Sequence, residues 1–317
     1  MLEFLRARRR ARVLAAASAA TLVLASCGGG SVDAPPLFST MVTFGASTTD
    51  NGNACDLSAS NCPPSPPYAK GIASNGPLWV DGVAARYGAS TVPSRKGGTN
   101  YAYGGARTGT VPGVTTPPGV PSMVAQVEQY LQQFGYRTGP ETLVALDLVT
   151  FGNNIADALT LAQTNPNAPA QVITAAVTDA VGMVQRLYAS GARHIVLSNS
   201  SNVGRTPRVQ ALGPAGVAAA TQMSAQFNGA LAQQLQILKA NSPGLNLYQV
   251  DVYALSEQAA TNPASLGLTN GTQACFTSTP APSVCANPAG YFYWDTFHGT
   301  AAANSIVAQR AIAAIGR

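Results

Sequence analysis

MVTFGASTTDNGN, residues 41–53, is the stretch from which the rest of the chain can be read. The apolar run from Met41 to Phe44 has strand composition and breaks abruptly into a cluster of Gly, Ser, Thr and Asn. Similar strand-like runs recur at Leu37–Gly45, Thr99–Tyr103, Leu143–Phe151, His194–Ser200 and Leu245–Val252. Between them apolar residues return at helical spacing. Met123, Val127, Leu131 and Phe134 form one such stripe. Ile173, Val177, Val181, Val184 and Tyr188 form a second, and Met223, Phe227, Leu231, Leu235 and Leu238 a third. Strands alternating with helices predict a parallel sheet covered on both faces. The expected fold is a single three-layer α/β/α domain with a central parallel sheet of about five strands, flavodoxin-like in layout. Ligands in such folds bind beyond the carboxyl ends of the strands. Ser47, Gly105 and Asn154 each follow an apolar run and so fall at that end.

The chain has 317 residues, 46% hydrophobic and 10% charged, which is ample for a core and too weakly charged for disorder. The net charge of +5 is local, because Arg6, Arg8, Arg9, Arg10 and Arg12 crowd one end beside a single acid, Glu3. The remainder is nearly neutral, so no nucleic-acid partner is expected. The basic stretch precedes an apolar, Ala-rich run from Val13 to Ala25, too short for a comfortable membrane span. That run ends in Leu24-Ala25-Ser26-Cys27, which resembles a bacterial lipobox. Ordinary cleavage at a small-residue site is the competing reading, and it leaves Cys27 an odd cysteine. The expected organisation is therefore a signal peptide over 1–26, a lipidated Cys27 with a tether over 27–39, and one domain over 40–317. Gly28 is not the Asp that retains such proteins at the inner membrane, so the resemblance implies export and anchoring at the outer membrane. A monomer is expected. The four other cysteines, Cys55, Cys62, Cys275 and Cys285, predict two disulfides in an exported chain. Three pairings are possible, of which the local one, Cys55 with Cys62 and Cys275 with Cys285, is the expected one. No Cys or His pair has the spacing of zinc ligands, and no metal or organic cofactor is implied.

The chemistry is concentrated in YFYWDTFHGT, residues 291–300. Asp295 and His298 lie three residues apart, close enough for the carboxylate to hold the imidazole in one tautomer while the other ring nitrogen faces a nucleophile. Ser47, at the break after the first strand, is the candidate nucleophile. His194, the other histidine, begins an apolar strand with no carboxylate nearby in sequence and reads as structural.

At these positions the sequence resembles the SGNH, or GDSL-type, hydrolase family. FGASTTDNGN at 44–53 is similar to the family's first block, NYAYGGA at 100–106 to the second, and LVTFGNNIAD at 148–157 to the third, whose core is Gly-x-Asn-Asp. DTFH at 295–298 matches the final Asp-x-x-His. GPLWVDGVAARYG at 76–88 resembles the helix after the first block, and GARHIVLSNSSNVGRTP at 191–207 the fourth strand and its loop. The resemblance implies a triad of Ser47, Asp295 and His298. It also implies an oxyanion hole from the Ser47 and Gly105 N–H groups and the Asn154 side chain. Asp50 and Asn53 match positions that stabilise the nucleophile turn. Three residues depart from the pattern: Ala46 and Ile155 stand where the family has Asp, and Gly299 where proline is common, which would loosen that loop.

The expected reaction is hydrolysis of a carboxylic ester through an acyl-enzyme on Ser47. The substrate is an ester or acyl lipid, with loops 54–75 and 107–121 shaping the pocket. An acyltransferase with the same triad and a non-catalytic surface lipoprotein retaining the fold both stay open.

Overall fold

The computed structural model describes residues 38–111, 113–114 and 116–316, all within one compact unit, Pro36–Arg317. The expected signal peptide, Cys27 and most of the tether lie outside the described residues. Four strands form the main sheet: β1 (Thr40–Phe44), β2 (Thr142–Asp147), β3 (His194–Ser198) and β4 (Asn246–Val250), in that order and all parallel. The fifth expected run, Thr99–Tyr103, lies along the outer side of β1. There Thr43 N–H donates to Thr99 O at 3.0 Å and Tyr101 N–H to Thr43 O at 2.8 Å, but pairing stops at one bridge, Thr43 to Asn100.

Two apolar cores sandwich the sheet, as the alternation of side chains along each strand requires. Val42, Phe44, Val144, Leu146, Ile195 and Leu197 face one core. Met41, Leu143, Ala145, Val196 and Val250 face the other. The long helices divide accordingly. On the second core pack α1 (Trp79–Tyr87), α6 (Val252–Thr261) and α7 (Ala301–Ile315). On the first pack α2 (Met123–Gln133), α3 (Phe151–Leu161), α4 (Ala168–Ala189) and α5 (Gly213–Ala240). The three predicted stripes lie on the inward faces of α2, α4 and α5, except that Phe134 falls just past the end of α2 and is exposed, and Val181 and Tyr188 are only half-buried.

Strand ends are sharper than the apolar runs. The run through Phe151 stops as a strand at Asp147, passes a 3₁₀ turn at Leu148–Thr150 and enters α3. The run through Val252 stops at Val250, because Asp251 caps α6 by accepting from Ala254 N–H. Beyond α6, β5 (Asn270–Ala274) pairs with β8 (Tyr291–Tyr293), and β6 (Phe276–Thr277) with β7 (Ser283–Val284). This annex delivers Asp295 and His298 to the carboxyl end of β1.

Candidate active site

The turn after β1 is held from three sides. Thr49 and Asp50 N–H groups return to Ala46 O at 3.0 and 2.9 Å, making one helical turn around Ser47. Gln126 of α2 clamps Gly45 at both backbone groups, accepting from its N–H at 3.0 Å and donating to its carbonyl at 2.9 Å. A Cβ on Gly45 would stand 2.1 Å from Thr49 Oγ1, so only glycine fits there. Asp147, fully buried at the end of β2, accepts from Thr48 Oγ1 at 2.5 Å and Ser198 Oγ at 2.6 Å. Thr49 Oγ1 and Trp79 Nε1 approach it at 3.4 Å each. Asp50 plays the part expected of it, accepting the N–H groups of Gly52, Asn53, Ala54 and Gly104. Asn53 ties the same turn to the Asn100 and Ala102 carbonyls. Ala46 packs with Tyr103, Ala106 and Val120 in a small apolar cluster, which accounts for a methyl where the family carries a carboxylate.

Ser47, His298 and Asp295 come together across 251 residues of sequence. His298 Nε2 lies 2.8 Å from Ser47 Oγ, and Nδ1 lies 2.8 Å from Asp295 Oδ2. Asp295 Oδ1 accepts the Phe297 and His298 backbone N–H groups at 2.7 Å each. Burial alone would raise the Asp295 pKa, but hydrogen bonds and charge from His298 and the two backbone donors bring it down to about 2. An ionised Asp295 keeps the proton on Nδ1 and leaves Nε2 to accept from Ser47. Gly299 does not loosen the loop. Its carbonyl accepts from Ser74 Oγ at 2.8 Å, and it bridges to Tyr293.

Of the expected oxyanion donors, the Ser47 and Gly105 N–H groups donate to no described residue. Gly105 lines the cleft in the left-handed region at φ 83°, while the Gly104 N–H is occupied by Asp50 at 2.8 Å. Arg107 braces Gly105, donating to its carbonyl at 2.6 Å while gripping Asp157 of α3 with two bonds.

Asn154, however, does not face the cleft. It is buried, accepts Thr108 N–H at 3.1 Å and donates to Thr108 Oγ1 at 3.0 Å. Asn153 lines the cleft instead, with one amide hydrogen on Ala106 O at 2.8 Å. Neighbouring helical residues point about 100° apart, since a turn takes 3.6 residues. The signal was in the sequence: Phe151, Ile155 and Ala158 mark the buried stripe of α3, and Asn154 falls on that stripe. With Asn153 as the donor, Asn154 takes the place of the family's following Asp, accepting Thr108 N–H as a carboxylate would while also donating to Thr108 Oγ1, which a carboxylate could not. The departure then moves from Ile155 to Phe151, which stacks on Phe227.

The cleft holds about 670 Å³. Loop 54–75 forms one wall, as expected, through Pro63, Pro64 and Tyr68, and the adjoining wall is Phe276–Thr279, whose Phe276 ring packs edge-on to Tyr68, rather than any described residue of 107–121. Both walls are stapled, by Cys55–Cys62 and Cys275–Cys285, the local pairing. Tyr68 donates to Asp295 Oδ2 at 2.7 Å. Its phenol pKa is raised by burial first and by the Asp295 charge second. Nothing in the sequence signalled this bond, which joins residues 227 positions apart. His194 sits on β3 away from the cleft, its Nδ1 2.9 Å from Tyr248 OH. Among the described residues no group of three or more His, Cys, Asp or Glu is placed to hold a metal ion, and no helix is long and apolar enough to cross a membrane.

Residues 41–311 match the family model described as GDSL-like Lipase/Acylhydrolase. Among characterised sequences the chain is similar to a GDSL esterase/lipase of Arabidopsis thaliana, at 25% identity over 87% of this chain and 89% of that one. It is also similar to the phosphatidylcholine-sterol acyltransferase of Aeromonas hydrophila, at 26% identity over 77% of this chain and 67% of the relative.

Proposed function

We propose that this chain, which belongs to the GDSL-like lipase/acylhydrolase family, hydrolyses carboxylic esters through an acyl-enzyme on Ser47. One observation carries the reading: His298 bridges Ser47 and Asp295 with two 2.8 Å contacts at the floor of an open cleft. His298 Nε2 takes the Ser47 proton as Oγ attacks the ester carbonyl, and then hands it to the leaving alcohol. Asp295 stabilises the imidazolium. The oxyanion is received by the Ser47 and Gly105 N–H groups and the free amide hydrogen of Asn153. Water, activated by the same imidazole, then releases the acid.

The deciding experiment is turnover of p-nitrophenyl esters by wild type and Ser47→Ala. Wild-type turnover should vanish in the variant. Turnover that survives would mean a different nucleophile.

Acyl transfer is the second reading, favoured by the similarity to phosphatidylcholine-sterol acyltransferase. The two reactions share the acyl-enzyme and differ in whether water or an alcohol takes the acyl group. Product analysis with an added alcohol separates them. We also propose that the chain is exported and held at the outer membrane by lipidated Cys27, as a monomer. The lipobox-like segment and two disulfides suited to an oxidising compartment support this. Cys27→Ser should release the protein from the membrane fraction, and retention there with unchanged processing would refute the anchor.

A further inference from the structure

A second cavity, of about 360 Å³, lies behind the cleft. Its walls are largely apolar: Ile155 and Leu159 of α3 on one side, Val203, Val209 and Leu212 on the other. It shares Phe297 and Arg208 with the cleft, so those two side chains are a common partition. Phe297 sits between Asp295 and His298 in sequence, its ring edge-on to the imidazole at 5.5 Å. Its ring lies so close to α3 that a Cβ on Gly152 would stand 2.9 Å from Phe297 Cζ. The Arg208 guanidinium lies over the same ring, 5.8 Å from its centroid. Leu212, which also lines the groove, is 61% exposed.

Helix α3 joins the two spaces. Asn153 faces the cleft, while Gly152, Ala156 and Thr160 face the groove. An ester carbonyl whose oxygen reaches Asn153 would therefore have one substituent directed along the disulfide-stapled walls and the other past Phe297 into the groove. The stapled side is the wider, and it offers the hydroxyls of Thr277, Ser278 and Thr279. The narrower side offers mainly hydrocarbon.

We infer that the groove behind Phe297 takes the acyl chain of the substrate, so that the enzyme acts on esters of aliphatic acids longer than acetate, with the alcohol portion lying in the wider cleft between the stapled walls. The direction of the chain rests on Ser47 being the acyl acceptor. The ligand chemistry of the groove rests on its own walls. Each methylene fully buried there should raise kcat/KM about fourfold until the groove is filled.

The test is an acyl-length series of p-nitrophenyl esters, acetate to decanoate, on wild type, Ala156→Trp and Thr160→Trp. Ala156 and Thr160 line the groove and touch none of the reacting groups, and Thr160 is exposed, so that variant folds even if the other does not. At 1.5 Å per residue Thr160 lies about 6 Å farther along the helix. Ala156→Trp should leave acetate turnover within about twofold and level off after the shortest acyl chains. Thr160→Trp should level off only at longer ones. Wild-type profiles in both folded variants would overturn the inference. So would an effect seen only in a matched series of alkyl acetates, which would put the alcohol in the groove. Binding of a fluorescent fatty acid to Ser47→Ala, displaced by decanoate, separates this inference from the hydrolase reading. Saturable binding lost with Ala156→Trp would keep the groove even if no ester were turned over. Absence of such binding would remove it even if esters were.

Discussion

Asn154 has 1% of its surface exposed and uses both ends of its amide on Thr108, so its substitution by alanine strands a buried N–H. Leaving such a donor unsatisfied costs about 1–3 kcal/mol. In the proposed reaction Asn153 is the oxyanion donor instead. Its remaining amide hydrogen is directed at the cleft, and an oxyanion donor is worth about 3 kcal/mol in the barrier. The two alanine variants should therefore part company. Asn153→Ala should lose roughly 10²–10³ in kcat with the urea midpoint little changed. Asn154→Ala should lower the midpoint, and any loss of kcat should be smaller. The opposite pattern would return the donor role to Asn154. The pair of blocks around Ser47 and Gly105 was legible because glycine, serine and asparagine each stand there for a local reason. The choice between two adjacent asparagines was a matter of helical phase, readable from the apolar stripe at Phe151, Ile155 and Ala158 but not from the block pattern.

Elements meet at Asp147. It ends β2, yet it collects a hydroxyl from the turn after β1, a hydroxyl from the end of β3 and an indole N–H from α1. Parallel registry brings these together, since Asp147 pairs with Ser198 and the neighbouring Leu146 with Phe44. Asp147→Leu would leave those donors without an acceptor in the interior. We expect a loss of about 3 kcal/mol or more in urea unfolding. A larger effect on kcat than on KM should follow, because Thr48 is Ser47's neighbour. Unchanged stability would show that solvent reaches this site. The strands and helices themselves were legible from periodicity. Their ends were not, because Asp147 and Asp251 stop strands by bonding to the backbone rather than by interrupting an apolar run.

The whole molecule closes on Asp295, where the C-terminal segment meets loop 54–75 and the turn after β1. Its carboxyl titrates near 2 in the fold against an ordinary value of 3.8, lowered by His298 and two backbone donors against the opposing effect of burial. A depressed carboxylate pKa stabilises the fold above the unfolded value and loses that contribution as pH falls through the folded one. The stability difference between wild type and Asp295→Asn should therefore be constant above pH of about 5 and shrink from there towards about 2. A difference independent of pH over that range would contradict the ionised pair. The same substitution should lower kcat on the order of 10⁴ by changing the imidazole tautomer. By itself the sequence determined the layered α/β/α plan, the nucleophile turn and the Asp295–His298 unit. Each of these is written in residues a few positions apart, where strand alternation, helical period and one-turn spacing act. Only the tertiary structure decided that Tyr68 holds Asp295, and that Phe276–Thr279 rather than the described residues of loop 107–121 walls the cleft. Those contacts join residues far apart in the chain, and packing brings them together with no local pattern to announce it.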